Sequence, residues 1–464
     1  MTYLKLMMGA ASALVLTACA SAPVTETETV TLVETPAAEP AMQVDVHKGD
    51  FVEIQQFVTP GGVSVWLVSE PSIPIVSVEM AWKGGETSDP EGLEGLSDAV
   101  VYNMNEGAGD LDSLGFQTRM EELNMSFGCS TGNDWTSCSA SMLKENAPEA
   151  MGLIATAFDE PRFDTGPFER FQRENLIGIK QRETSAGWLA RKAMTDALYP
   201  GHPYARQTSV ESIAALTPEL AREQMRKLMV KDRLLVTAVG AVTPAELAPM
   251  IDMALGGLPE TSELPPVADI TLPTPPAEPI VVDLPQPQSL VMFSAPGPER
   301  DDPDFFAAYV LNYTVGGGGF ESRLMKTLRV DKGLTYGVST GLSTSDHLDT
   351  WTGGGQTKNE SAGEFLAGIH DELNLFVSDG MTEEELSDAK AYLTGSYALG
   401  FDSNAKIADQ IMSVRQQDLG IDYFDTRNAN MNAVTLDDVN RVAKEYLSPE
   451  NFIYVVVGEP EGVQ

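Results

Sequence analysis

The sequence predicts an α+β protein built from two homologous halves joined by a proline-rich linker, and three observations predict it. The chain repeats itself: Thr217-Pro-Glu-Leu opens a helical stretch leading to the apolar run Leu234 to Val239 and then Gly240, and Thr435-Leu-Asp-Asp opens another leading to Phe452 to Val457 and then Gly458. Thr217 to Gly240 and Thr435 to Gly458 each span 23 residues, at an offset of 218, and the same offset relates Phe158-Asp-Glu-Pro to Phe376-Val-Ser-Asp. Two matches at one register indicate a duplication. Between the halves, Pro259 to Pro279 is so rich in proline that neither a helix nor a sheet ladder can be satisfied, which gives an extended linker. Each half also mixes short alternating strands (Val63 to Val68, Ile75 to Trp82; Ile280 to Leu284, Ser289 to Phe293) with helical segments (Gly92 to Asn105; Asp302 to Val315).

The N-terminus reads as an address. Lys5 precedes the apolar run Leu6 to Leu16, too short for a permanent membrane span but laid out as a secretory signal. The run ends Leu16-Thr17-Ala18-Cys19, which resembles a bacterial lipobox. That resemblance implies cleavage before Cys19 and acylation of its thiol, each buried methylene then holding the protein to the membrane by roughly 0.8 kcal/mol. A plain signal with a chance cysteine is the alternative. Residues from 21 to about 47 are rich in Thr, Glu, Pro and Ala without a sustained period and read as a flexible acidic tether. The organisation expected is a signal peptide (1–18), a lipidated tether (19–47), an N-terminal domain (48–258), the linker (259–279) and a C-terminal domain (280–464). Ala20 after the Cys resembles the bacterial sorting pattern for the outer membrane, which implies an anchored protein facing the periplasm.

Of 464 residues, 42% are apolar, enough for substantial cores, while 30 Lys and Arg against 68 Asp and Glu give a net charge of −38. Such a chain repels phosphate backbones and anionic lipid surfaces, which argues against nucleic acid and against membrane contact other than through an acyl anchor. Histidine occurs only at 47, 202, 347 and 370, and cysteine only at 19, 129 and 138. Ser126 to Met142 alternates like a hairpin around Gly132-Asn133-Asp134. A two-residue turn at Asn133-Asp134 sets Cys129 opposite Cys138, so an oxidising compartment allows a cross-strand disulfide. A zinc site there would have too few ligands.

Four motifs carry a family resemblance: Gly92-Leu93-Glu94-Gly95-Leu96-Ser97-Asp98-Ala99; Tyr199-Pro200-Gly201-His202-Pro203-Tyr204; Val315 through the glycines 316 to 319 to Phe320, followed by Ser322-Arg323-Leu324; and Leu328-Arg329 followed by Gly333-Leu334-Thr335-Tyr336. Together they resemble the M16 peptidases (insulinase, pitrilysin, mitochondrial processing peptidase) over nearly all of residues 50 to 460. Their spacing is similar to the short bacterial chains that pair as active and inactive subunits. The resemblance implies two homologous domains, each a mainly antiparallel sheet packed with helices.

Catalytic members carry His-x-x-Glu-His on the first helix, with both imidazoles on one face to bind zinc and the Glu taking a proton from metal-bound water. Here the matching positions are Gly95, Asp98 and Ala99, and the further ligand position, in Arg173 to Ile179, matches Gly178. Gly and Ala offer no lone pair to a metal. Glu94, Asp98 and Glu174 remain nearby, but carboxylates alone select poorly for zinc, so no metal is expected in this chain. His202 reads as a structural turn residue. The resemblance implies that Arg329 and Tyr336 form the pair that closes over the zinc site from the second domain, donating hydrogen bonds to the carbonyl oxygen as charge develops on it; packing and surface roles are the alternative. Gly316, Gly317, Gly318 and Gly319 lack the Gly-Lys-Ser/Thr ending of a phosphate loop and suit a mobile loop that handles peptide, or a simple turn.

The function expected is therefore a non-catalytic subunit that pairs with a separate His-x-x-Glu-His chain, which holds the zinc, and lends Arg329, Tyr336 and the glycine run to a shared peptide chamber. A catalytically silent peptide-binding or structural scaffold, with no peptidase partner, is the alternative.

Overall fold

A computed structural model describes residues 42–49, 51–272 and 274–463; the expected signal segment, Cys19 and most of the expected tether lie outside the described residues. The N-terminal half contains β1 (Val44–Lys48), β2 (Glu53–Val58), β3 (Ser64–Ser69), β4 (Ile75–Lys83), the short ribbon β5 (Gly107–Ala108) and β6 (Leu111–Asp112), then β7 (Met125–Thr131), β8 (Trp135–Leu143) and β9 (Leu234–Gly240). Apart from the ribbon they form one sheet in the order β1-β2-β3-β9-β4-β8-β7. The C-terminal half contains β10 (Ile280–Asp283), β11 (Gln288–Pro296), β12 (Thr335–Ser343), β13 (Thr350–Lys358) and β14 (Ile453–Gly458), ordered β10-β14-β11-β13-β12. The duplication is visible in the ladders. β3 pairs parallel with β9 as β10 does with β14, and the remaining pairings of both five-strand cores are antiparallel.

The capping logic of the repeat is also duplicated. Thr217 and Thr435 are the N-caps of helices Pro218–Leu228 and Leu436–Tyr446, each accepting a backbone N–H three residues on. The glycines that end the paired strands, Gly240 and Gly458, have φ of 152° and 151°. A Cβ at Gly240 would lie 2.2 Å from the Ile75 carbonyl oxygen, and one at Gly458 would lie 2.7 Å from Ser289 Oγ. Only glycine allows that crossing of strand ends.

Both sheets are apolar on both faces, and alternation divides the work. Val65, Leu67, Val78, Met80, Trp82 and Val236 face the N-half's own helices. Trp66, Val68 and Val239 face the other way, onto Ala408, Ile411 and Val414 of helix Asn404–Gln416, which belongs to the C-terminal half. Reciprocally, Val291, Phe293 and Val456 face C-half helices, whereas Ile453, Val455 and Val457 pack against Ala190, Met194 and Leu198 of helix Ala186–Leu198. These two helices are also 218 residues apart at both ends. Each half thus covers the second face of the other's sheet, and residues 42–464 form one compact unit. Domain limits at 48–258 and 280–464 leave most of β1 outside the first half and cut across this exchange.

Three local expectations need correction. The tether does not reach residue 47, because Val44–Lys48 is already paired with β2. The first helix spans Leu96–Asn103 rather than 92 to 105, since Gly95 is in the left-handed region and starts it. The glycine run is not an open loop: Tyr313–Gly317 continues helix Phe305–Asn312 as a π-helical turn, and a Cβ at Gly316 would meet Thr340 N and Oγ1 at 2.6 Å. Close packing on β12 and on the Asn312 and Tyr313 side chains requires glycine at 316 to 318 without any ligand.

Ile411 lies fully buried in the exchanged seam. Ile411→Ala is expected to destabilise the protein by about 3 kcal/mol in denaturant titrations, whereas Lys406→Ala on the exposed face of the same helix should stay within about 0.5 kcal/mol. Equal effects would show that the seam is not a core.

Candidate functional site

The first helix begins where a zinc motif would start, and its N-terminus is built around Asp89. This buried carboxylate accepts from Gly95 N (3.0 Å), Leu96 N (2.9 Å), Ser97 N (3.0 Å) and Ser97 Oγ (2.5 Å), satisfying donors that a helix leaves open. Arg206 donates to the Asp89 carbonyl (2.9 Å) and Gln224 to Ser88 Oγ (2.9 Å), which ties in the loop after His202 and helix Pro218–Leu228. Burial pushes the Asp89 carboxyl up to about 6 against the pull of its Ser97 and Gly95 hydrogen bonds. Glu86 beside it is pushed up to about 7, by lost hydration first and then by Asp98 and Asp89. Asp98 is also raised, by burial.

The degenerate positions do not fit a metal. Gly95 has φ of 95°, a left-handed conformation that strains any L side chain, and a Cβ there would press on Ile213 Cδ1 at 2.9 Å and Thr208 Cγ2 at 3.0 Å. Ala99 is fully buried in the core. Gly178 lies on the exposed side of helix Thr165–Arg182. Among the described residues, no three His, Cys, Asp or Glu side chains converge as metal ligands.

A hydrogen-bonded ladder joins the same two helices instead. Tyr102 OH donates to Glu174 Oε2 (3.0 Å), Arg170 Nε donates to Tyr102 OH (3.0 Å), Arg170 pairs with Glu106 (2.6 Å), and Ser113 Oγ donates to Glu106 Oε2 (2.5 Å). Of its members the sequence singles out only Glu174, as a nearby carboxylate, and the ladder itself goes unread. Helical spacing carries the signal: Tyr102 is i+4 from Asp98, and Arg170 and Glu174 are i, i+4. Glu94 accepts from Gly92 N (2.9 Å) as a turn residue. His202 Nδ1 accepts from Tyr204 N (3.2 Å), which leaves Nε2 to donate to the Ala268 carbonyl of the linker (2.9 Å); burial lowers its pKa.

On the C-terminal half, Arg329 lies in the π-helical segment Met325–Asp331 with its guanidinium 4.3 Å from the Phe320 ring. The Leu334 N–H donates to the Leu328 carbonyl (2.8 Å) and turns the chain back into the edge strand β12. The β12–β13 register slips between Thr335 and Val338, and Tyr336 projects from that bulge, 85% exposed. Gly319 and Phe320 lead into this segment, while Gly316 is buried. In the hairpin, Gly132 N donates to the Trp135 carbonyl around Asn133 and Asp134, and Cys129 and Cys138 are paired in register and disulfide-bonded.

Comparison with known proteins places this architecture. The family model described as insulinase (peptidase family M16) matches residues 64–210, and that described as the peptidase M16 inactive domain matches residues 215–393. The chain belongs to the M16 family. It is 24% identical over 387 residues to the non-peptidase homolog YmxG of Helicobacter pylori, covering 83% of this chain and 89% of that one. Among solved structures it is similar to a peptidase M16 inactive domain from Pseudomonas fluorescens, with TM-score 0.81, 25% identity, and 89% and 98% of the two chains covered. It also matches the periplasmic protease PqqL of Escherichia coli, with TM-score 0.78 and 18% identity, over 92% of this chain and 48% of that one. This chain is thus an M16 member of the inactive kind, with the fold intact and the zinc motif lost.

Restoring the motif letters is not expected to restore the metal. Gly95→His with Asp98→Glu and Ala99→His should bind no stoichiometric zinc by elemental analysis and should lose about 2 kcal/mol or more of stability, because position 95 needs a left-handed backbone and has no room. The raised carboxyls set a pH dependence. Glu79, pushed up to about 8 by burial and then by Asp409, and Glu86 bind protons more readily folded than unfolded, so their contribution is lost as pH rises through 7 and 8. Tm should therefore rise as pH falls from about 8.5 to 6.5, and Glu79→Gln should flatten the upper part of the curve. Below that window His202 and His370, held neutral by burial, oppose the trend.

Proposed function

We propose that this chain is the non-catalytic subunit of a periplasmic M16 peptidase, held at the membrane through Cys19 and paired with a chain that carries the intact zinc motif. The observation that carries the reading is an asymmetry between its two halves. At Gly95 a left-handed backbone stands where the ligand side chain belongs, whereas the Tyr336 phenol stands almost fully exposed at a bulge on a sheet edge. The partner's zinc-bound water would attack the peptide carbonyl. Arg329 and Tyr336 would donate hydrogen bonds to the oxygen as it becomes negative, a role suited to a fixed cation and a neutral O–H. Gly319 and its neighbours border the same segment and would contact the peptide backbone. The periplasmic setting rests on the likeness to PqqL and on the signal-like N-terminus.

Co-expression with an M16 chain bearing His-x-x-Glu-His tests the proposal. The pair is expected to co-purify and cleave unfolded peptides, and Arg329→Ala with Tyr336→Phe is expected to lower kcat/KM by about 100-fold or more with the complex intact, as for loss of oxyanion donors. Unchanged cleavage by the double variant would overturn the shared site. A stable homodimer that holds peptides and never joins the zinc-bearing chain would favour the scaffold reading.

A further inference from the structure

A cavity of about 270 Å³ lies among helices Phe305–Asn312, Asn404–Gln416 and Tyr423–Ala433, and no part of the degenerate zinc site or of the Arg329–Tyr336 segment lines it. Its walls are aromatic, from Phe305, Phe306, Tyr309 and Tyr423. Two guanidiniums face it, and among the described residues neither forms an ion pair, although carboxylates outnumber cations by more than two to one in this chain.

Arg300 lies with its guanidinium 4.0 Å from the Phe305 ring and 5.1 Å from the Tyr423 ring. Its Nε donates to Gln417 Oε1 (2.9 Å) and its Nη2 to Tyr423 OH (2.8 Å), which uses two of the five N–H donors a guanidinium carries. The remaining donors form a planar fork of the kind that matches a carboxylate. Asp349, whose charge Arg300 feels, is occupied by the Ser345 N–H (2.7 Å) and the Arg300 backbone N–H. Arg427 is only 6% exposed, lies 3.9 Å from the Tyr397 ring, and donates to the Leu393 carbonyl (3.2 Å) and Asn428 Oδ1 (2.7 Å). The Tyr397 hydroxyl on the same wall is buried with no hydrogen-bond partner in the structure.

We propose that this cavity binds the carboxylate of a hydrophobic amino acid, free or at the C-terminus of a peptide. The apolar side chain would lie against the phenylalanine and tyrosine rings, and the carboxylate on Arg300. The volume of about 270 Å³ suits one large side chain, and the cavity opens toward its neighbour at Arg300 and Tyr423. A phosphate would bring more negative charge toward Asp301, Asp302 and Asp422, which line the adjoining cavity that shares Arg300; a free α-ammonium group would be favoured there. Arg300 thus sits at the boundary between an apolar, cationic chamber and an acidic one, an arrangement matched by a zwitterion with an apolar body.

The test is calorimetric titration of the chain alone with phenylalanine, N-acetylphenylalanine and phenylalaninamide. Because no partner subunit is present, the result is independent of the pairing proposed above. At least one of the two acids is expected to bind saturably with Kd below about 1 mM, and the amide, which keeps the ring and loses the carboxylate, at least tenfold more weakly. Binding of phenylalanine alone identifies a free amino acid, and binding of the N-acetyl compound alone identifies a peptide end. Arg300→Gln is expected to weaken the acid at least tenfold while leaving the amide unchanged. Equal binding of acid and amide by the wild-type chain, or no binding of either acid at that concentration, overturns the proposal, and neither result depends on the variant folding.

Discussion

Each sheet of this protein is apolar on both faces, and in each the second face is covered by a helix from the other half. That reciprocal cover is the constraint on which the remaining structure rests. A half taken alone would leave Trp66, Val68 and Val239, or Ile453, Val455 and Val457, against water, at about 1.5–3 kcal/mol for each large side chain. Polar groups cross the same seam. Arg415 of helix Asn404–Gln416 reaches across to the Val236 carbonyl and to Ser64 and lies over the Trp66 ring 5.1 Å away. Its desolvated charge, with a pKa lowered to about 10, is compensated only if those carbonyls are present. At the other end of the junction, Asp134 at the hairpin tip accepts from Tyr204 OH (2.5 Å) and from Asp346 N (3.2 Å), and Lys83 pairs with Asp346. The hairpin and the C-half loop are thereby fixed to one another, and with them the two sheet edges β7 and β12.

Within that frame the two halves have diverged in opposite directions. The N-half site has not merely lost ligands and left a gap. Ile213 crowds a left-handed Gly95, Asp89 closes the helix N-terminus, and the Tyr102–Glu174–Arg170–Glu106 ladder joins the helices that would otherwise share a metal. Burial, with Asp98 close by, leaves Glu86 and Asp89 poised to take up protons. The C-half keeps unsatisfied capacity at its surface, in a bulge that aims Tyr336 outward and a guanidinium held on a half-exposed Phe320 ring.

The sequence disclosed the fold through its repeat. Thr217 and Thr435 are true caps, Gly240 and Gly458 share one backbone conformation, and strands Ile75–Lys83 and Ile280–Asp283 fall where alternation predicts them. The exchange of helices was not legible, although helices Ala186–Leu198 and Asn404–Gln416 obey the same 218-residue offset. Periodicity reports that a face is apolar and cannot say which half covers it. The first helix was placed four residues early because Gly92 and Gly95 interrupt an otherwise helical pattern, and a left-handed cap is invisible without φ. The glycine run misled for a related reason. Glycine marks either freedom or close approach, and at 316 the observed reason is contact with Thr340. Among candidate site residues, the missing zinc ligands were readable by residue type alone, whereas the ladder and the Arg300 cavity depend on side chains brought together from distant segments.

The surface around Arg329 bears on why such a chain would keep these residues. Phe320, Val330 and Tyr336 are 58%, 62% and 85% exposed, in the stretch that leads into and opens edge strand β12. Single exposed apolar residues need no explanation, but an exposed tyrosine on an unpaired sheet edge favours association. The net charge of −38 opposes association between identical copies of the chain, so the surface is better covered by something different in charge or by an extended peptide. That selectivity comes from the whole chain rather than from a site. The same chain that lacks the motif's imidazoles on its first helix thus keeps, on the opposite half, an aromatic and cationic surface segment.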